Sequence, residues 1–311
     1  KFAGITSKDI NSAMLQLRDI DLPDDKVVID LIKNQFILDN GRTVEDPVGA
    51  LSSTVTVTGQ VILADKDYVR QLTNIFKKAN IEIDGIIPNV LAERSLILDV
   101  NEMNDNVMIL DIGAGNTDIG VFNGSNFVYA NTIPLGGDNI TNDIAQVFYI
   151  SEEEADRLKK QYALALKSFI DNDTDIMLTT YKGDERNKVI KSSELIEVIE
   201  ARIEEIFSLV NKQITSLGIK SNINNVILTG QGITCISKSD VAGKIVLNIP
   251  VKIATGRMIS TVKPAYRSSY ALVRYVSSRP YAKNVASKID VKSNENFFKT
   301  ILERIKEFFY T

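Results

Sequence analysis

Residues 109–122 read ILDIGAGNTDIGVF. Two apolar, β-branched runs enclose Gly113, Ala114, Gly115 and Asn116, with Asp111 just before the turn and Asp118 just after it. A glycine-rich turn between strands can be a plain hairpin, or it can let backbone N–H groups close on an anion. The residues after the turn narrow the choice. Three strand-like runs, 107–112, 117–122 and 127–133, succeed one another with short turns, as in a β-meander. Both the Walker loop and the dinucleotide fingerprint lead from their glycines straight into a helix. Here the glycines lead into another strand, so neither reading holds. Asp111 ends a buried-type strand, where an unpaired carboxylate is costly. A metal ion or a metal-bound water would explain it, with Asn116 and Thr117 as neighbouring polar groups.

Composition bounds the chemistry. With 311 residues the chain can fold two or more domains with real cores. Hydrophobic residues at 44% against 24% charged mark a globular chain rather than a disordered one. A net charge of -4 argues against a nucleic-acid partner held by a broad basic face. Cys235 is the single cysteine, which excludes an internal disulfide framework and fits a reducing cytoplasm. The sequence contains no histidine, so Ser-His-Asp triads and histidine-ligated zinc are excluded. No apolar run reaches the length of a spanning helix, and no signal peptide is visible. The chain opens on Lys1 rather than methionine, which suggests a fragment or a processed form.

Upstream of the turn, 26–38 reads as a strand followed by the turn pair Asn40-Gly41, and DPVG at 46–49 marks a second turn. Residues 53–64 alternate, with Val55, Val57, Val61 and Leu63 on one face and Thr54, Thr56, Thr58 and Gln60 on the other. Asp65 can cap a helix carrying Val69, Leu72, Ile75, Phe76 and Ala79. A short strand is expected at 81–87, then a helix from Pro88 to about Leu98. Downstream, Gly136 and Gly137 introduce a helix to about Phe148. Ser151 and Glu154 form a capping-box pattern for a helix to about Phe169. A hairpin is expected around 176–190. The helix 193–217 carries Leu195, Ile199, Ile203, Ile206, Val210, Ile214 and Leu217 on one stripe, ending at Gly218. A buried-type strand at 225–229 runs into a second glycine turn, Gly230, Gln231 and Gly232. A weak helix, a strand at 251–254 and a helix at 264–278 complete the globular part.

The second turn gains meaning from its position. Two buried strands ending in glycines about a hundred residues apart suggest two loops over one ligand. Between them, Asp156 and Lys159 share a helical face, either as a solvated ion pair or as a pair that reaches a ribose.

Taken in order, ILDIGAGNTDIGVF, IPLGGDNITNDIA (133–145), DRLK (156–159) and VILTGQG (226–232) resemble the actin-like ATPase superfamily. Within it they resemble most the FtsA family of bacterial cell-division proteins. The resemblance implies an α/β, actin-like (ribonuclease-H-like) ATPase fold with an α+β FtsA-type extra subdomain at the N-terminal end. The implied parts are the extra subdomain (1–83), a connecting helix of the first half (84–104), and the second half (105–261) with a helical subdomain inserted (151–218). A return helix (262–278), a polar linker (279–295) and a terminal helix (296–311) complete the chain. By the same resemblance, Asp111, Gly113, Ala114, Gly115, Asn116 and Thr117 match the second phosphate loop, with Asp111 near magnesium through water. Gly136 and Gly137 match the turn before the interdomain helix, Asp156 and Lys159 the nucleoside-contacting pair, and Gly230, Gln231 and Gly232 the adenosine loop. Ala114 and Gln231 stand where glycine is common, so the backbone there must avoid positive φ or tolerate strain. The family's first phosphate loop has no counterpart, so the chain alone is expected to hold half a nucleotide cleft. The implied cofactors are ATP and Mg2+, with hydrolysis slow if it occurs. The implied function is to tether FtsZ by its C-terminal tail to the cytoplasmic face of the cell membrane at the division septum, and to self-assemble with other division proteins. A PilM-like pilus-assembly adaptor and a sugar or carboxylate kinase of the same superfamily are the rival readings.

The terminal segment, NFFKTILERIKEFFYT at 296–311, is the discriminator. At 100° per residue Phe297, Phe298, Ile301, Leu302, Ile305, Phe308 and Phe309 fall within an arc of roughly 140°. Such a face suits an interfacial membrane helix better than a helix docked on its own core.

Overall fold

The computed structural model describes residues 4–17, 20–44, 46–98, 102–179, 188–254 and 266–277. The chain divides into two compact units, one built on residues 1–87 and the other on 88–275.

In the first unit, α1 (Ser7–Gln16) is capped by Thr6. The Thr6 hydroxyl accepts from the Asp9 amide, and the Asp9 carboxylate accepts from the Thr6 amide at 2.9 Å. Strands β1 (Lys26–Leu38), β2 (Thr43–Val44) and β3 (Val55–Asp65) form an antiparallel sheet in the order β2-β1-β3. The expected turn at Asn40-Gly41 is present, with Gly41 at φ +77°. Ile5, Ile10, Phe36 and Leu38 form the core. The alternation of β3 is not carried through as expected, because Leu63 is exposed while Thr58 and Gln60 are half-buried. Two register shifts, between Val28 and Asp30 and between Lys33 and Gln35, re-aim β1 against it. Helix α2 (Lys66–Lys78) forms where Asp65 predicts it, the Asp65 carboxylate accepting from the Tyr68 amide at 2.9 Å. None of its residues is buried, however, so Ile75 and Phe76 are not core positions. Residues 81–87 are not a strand: no described strand pairs with them, and Ile81 is exposed.

The second unit is built on a five-stranded sheet of order β10-β9-β4-β5-β6. β4 (Asn106–Ile112), β5 (Thr117–Asn123) and β6 (Asn126–Ile133) are the antiparallel meander, and β9 (Asn225–Thr229) and β10 (Val251–Ile253) add in parallel. β4 and β9 are apolar on both faces, as strands covered from both sides must be. On one face lie α4 (Gly137–Phe148), α6 (Ser192–Ser216) and α7 (Ser239–Leu247), sharing a core that includes Met108, Leu110, Ile144, Ile203 and Phe207. On another lies α3 (Asn89–Ile97), seated closely on β5 because a Cβ at Gly120 would come within 2.9 Å of Val90. α8 (Arg267–Ser277) follows β10.

The stripe of α6 is buried as expected from Leu195 to Ile214, but Leu217, its capping residue, is exposed. The helix expected to reach Phe169 is shorter. α5 (Glu152–Gln161) ends early because Leu164 leaves the helical path to bridge Ser237, with the Ala165 amide donating to the Ser237 carbonyl at 2.9 Å. The Ser151 hydroxyl accepts from the Glu154 amide, but Glu154 turns to Arg157 instead of closing the box. β7 (Asp175–Leu178) and β8 (Lys188–Lys191) are the two strands of the expected hairpin. The linker and the terminal helix with its apolar face, Phe297 to Phe309, lie outside the described residues.

Candidate functional site

The site is assembled at one end of β4 and β9, where parallel neighbours bring Asp111 opposite Thr229. β4 closes into β5 through a tight turn, the Gly113 amide donating to the Asn116 carbonyl at 2.9 Å. Ala114, Gly115 and Asn116 form its exposed tip. Among the described residues, none of the amides of these three donates to a backbone carbonyl.

The two glycine turns do meet, and the Gly136-Gly137 turn joins them. The Gly232 amide donates to the Ile112 carbonyl at 2.8 Å, and the Gly137 and Asp138 amides donate to the Gly113 and Ala114 carbonyls at 2.9 and 2.8 Å. The contact is close enough to require glycine. A Cβ at Gly232 would lie 2.1 Å from the Gly113 carbonyl oxygen, one at Gly136 2.5 Å from that of Ala114, and one at Gly137 2.7 Å from the Gly232 Cα. Gly230 has a second constraint, since its φ is +91° and its Cβ would meet the Asp111 carboxylate. Neither Ala114 nor Gln231 has a positive φ.

Gly115 differs from Gly136, Gly137, Gly230 and Gly232. It has no positive φ, and a Cβ built there meets nothing within 4 Å. Neither backbone strain nor a protein neighbour demands glycine at this point, whereas a ligand drawn against exposed amides would. Backbone donors at the tip and an acid at the strand end fit a phosphate with its metal ion. Asn116 is available on the tip. Thr117 is not, because its hydroxyl is fully buried and donates to the Leu135 carbonyl at 2.8 Å.

Asp111 is not the unpaired acid that the sequence suggested. Its carboxyl lies against that of Glu93 of α3, a residue absent from the sequence reading. Burial, and then the Asp111 charge, push Glu93 up to about 7, and burial together with Asp118 pushes Asp111 up to about 6. Ser268 of α8 donates to Glu93 Oε1 at 2.6 Å. Asp118, paired with Asp111 across β4 and β5, accepts from Thr132 at 2.6 Å.

Lys159 is likewise no solvated surface charge. It is buried, donating from Nζ to the Gly137 carbonyl at 3.0 Å and to the Thr141 hydroxyl at 2.6 Å, with Asp156 at 3.1 Å. It ties α5 to the start of α4 and so to the interlocked turns. Asp156, half-exposed, also pairs with Lys160, and Lys160 and Lys159 together hold its carboxyl below the usual range.

This arrangement has relatives. A profile described as "Cell division protein FtsA" matches residues 108–271, and one described as "SHS2 domain inserted in FTSA" matches residues 2–63. The chain belongs to the FtsA family. It is 31% identical to the cell division protein FtsA of Bacillus subtilis over 87% of this chain and 61% of the relative, so it spans about three fifths of that protein's length. Among solved structures, MreB5 of Spiroplasma citri bound to AMPPNP superposes with a TM-score of 0.57 at 18% identity, covering 69% of this chain and 66% of that one. The PilM-PilN type IV pilus biogenesis complex gives 0.52 at 14% identity, covering 86% and 72%. At such identities these two establish the fold alone. The fold is actin-like, with the FtsA-type subdomain at the N-terminal end.

Proposed function

We propose that this chain is the greater part of a nucleotide-regulated division protein, binding ATP with Mg2+ against the turns at 113–116, 136–137 and 230–232. The observation that carries the reading is Gly115: an open tip whose amides donate to no backbone carbonyl, beside the half-buried Asp111 and backed by two interlocking turns. In this reading the amides of Ala114, Gly115 and Asn116 face phosphate oxygens, and Asp111 orients a water of the metal. Lys159 fixes the turns from behind and Asp156 faces the nucleoside. Asp111 would hold the magnesium through a water, and the ion would supply positive charge to offset that of the phosphates. The site holds its ligand and signals its presence; any hydrolysis is slow.

The division role follows from the family. The helical part, 151–218, would take the C-terminal tail of FtsZ, a short peptide ordered on docking. The amphipathic segment 296–311 would lie in the cytoplasmic face of the membrane at the septum, and copies of the protein would assemble there with other division proteins. Among the described residues no helix is long and apolar enough to cross a membrane, so the reading assigns attachment to that interfacial segment. Family membership favours this reading over the pilus adaptor and the kinase.

Calorimetric titration of the full-length protein with a non-hydrolysable ATP analogue tests the site. Binding should require Mg2+ and should be impaired by Asp111→Ala. Binding that is unaffected by this change would remove Asp111 from the site, and no binding at all would overturn the reading.

A further inference from the structure

Glu93 is a buried acid in a helix otherwise turned apolar side inward, among Val90, Leu91, Ala92, Leu96 and Ile97. An isolated carboxyl among such residues is costly unless it is hydrogen-bonded. Glu93 is met on both sides: Ser268 at the start of α8 donates to Oε1 at 2.6 Å, and the Asp111 carboxyl lies against its own. Three elements, α8, α3 and β4, are thereby linked through side chains, and the last link is the acid assigned above to the metal. Asp111 has other neighbours as well, among them Arg267 of α8, whose charge opposes the rise of its carboxyl. The turn glycines crowd one side, with a Cβ at Gly230 built 2.4 Å from its Oδ1. Asp118, a second acid, lies opposite.

We propose that Glu93, braced by Ser268, is a positioning residue for Asp111 that sets the magnesium affinity of the nucleotide site. This rests on the nucleotide reading given above. Outer partners of this kind orient the acting ligand, and their removal costs about 10–100-fold in metal affinity. The effect should fall on the metal, since Glu93 is buried behind Asp111 rather than placed on the exposed tip.

The test is the Mg2+ concentration that half-maximally tightens binding of a fluorescent ATP analogue to the full-length protein. Four forms are compared after each is shown to unfold cooperatively: wild type, Glu93→Leu, Glu93→Gln and Ser268→Ala. Glu93→Leu should raise that concentration by about 10–100-fold while leaving metal-free nucleotide affinity unchanged. Glu93→Gln, which can still donate to Asp111 and accept from Ser268, should restore most of the loss, and Ser268→Ala should fall between. If Glu93→Leu has the magnesium requirement of wild type while Asp111→Asn loses it, the nucleotide site stands and the positioning role is overturned. If Glu93→Gln is as impaired as Glu93→Leu, the role is again overturned. If wild type binds no nucleotide, both fall together.

Discussion

Replacing Glu93 with glutamine should make the protein more stable as the pH rises. In the fold, Glu93 is pushed from 4.5 to about 7 by burial and by Asp111. A carboxyl whose folded pKa is raised binds its proton more tightly when folded, so its contribution to stability is complete below the unfolded pKa. It is lost as the pH climbs through the folded value. The window therefore runs from about pH 4.5 to just above 7. At about 1.4 kcal/mol for each pH unit between the two values, the loss attached to Glu93 is about 3 kcal/mol. Glutamine can still accept from Ser268 and donate to Asp111, and it has no proton to lose. In buffers containing EDTA, urea denaturation of wild type and Glu93→Gln should give stabilities that are closest near pH 4.5. They should diverge by about 3 kcal/mol at pH 8, with the variant the more stable. For a unit of this size that corresponds to about 6–12 °C in melting midpoint. Taking the difference between the two proteins cancels the titrating groups remote from Glu93 and leaves the Glu93–Asp111 pair. A difference that stays level within about 0.5 kcal/mol across this range would refute the buried acid pair.

Further outcomes rest on the same geometry. Gly232→Ala places a methyl 2.1 Å from the Gly113 carbonyl oxygen, a backbone atom that cannot swing aside; it should destabilise by about 1–3 kcal/mol, read by urea denaturation, and a neutral change would deny that the turns interlock. Lys159→Met leaves the Gly137 carbonyl and the Thr141 hydroxyl without their charged donor, which should cost about 1.5–3 kcal/mol in the same assay. Loss of that size would not appear if Lys159 were a solvated surface charge. Deleting 296–311, or introducing Ile305→Glu, should release the full-length protein from sedimenting liposomes while its melting midpoint is retained, and unchanged sedimentation would place the membrane contact elsewhere.

What could be read from the sequence was whatever the chain writes locally. The meander shows because the runs at 107–112, 117–122 and 127–133 are short, apolar and separated by turn residues. The meeting of the glycine turns was legible from two buried strands ending alike. The misses have long-range causes. Asp156 and Lys159 look like a surface pair because the groups that bury Lys159, on Gly137 and Thr141, lie on another helix. Glu93 escapes notice because one acid in an apolar helical run is indistinguishable by spacing from a residue at the helix edge. Only Gly120, which lets α3 settle on β5, brings it to Asp111. α5 stops short of its periodic pattern because pairing with Ser237, far along the chain, competes for the same backbone. Thr117 has the chemistry of a phosphate ligand but a hydroxyl already given to Leu135.

The central claim is that the open side of Gly115 is where a phosphate meets the backbone. A Gly115→Val substitution fills that space and meets no protein atom within 4 Å at its Cβ, so folding should be unaffected while the ligand is displaced. Titration of the full-length protein with ATP and Mg2+ by calorimetry decides it. Wild type should bind in a magnesium-dependent manner and Gly115→Val should lose at least about tenfold in affinity, the equivalent of about 1.4 kcal/mol, with its melting midpoint unchanged. Equal affinity in the two proteins would contradict the account.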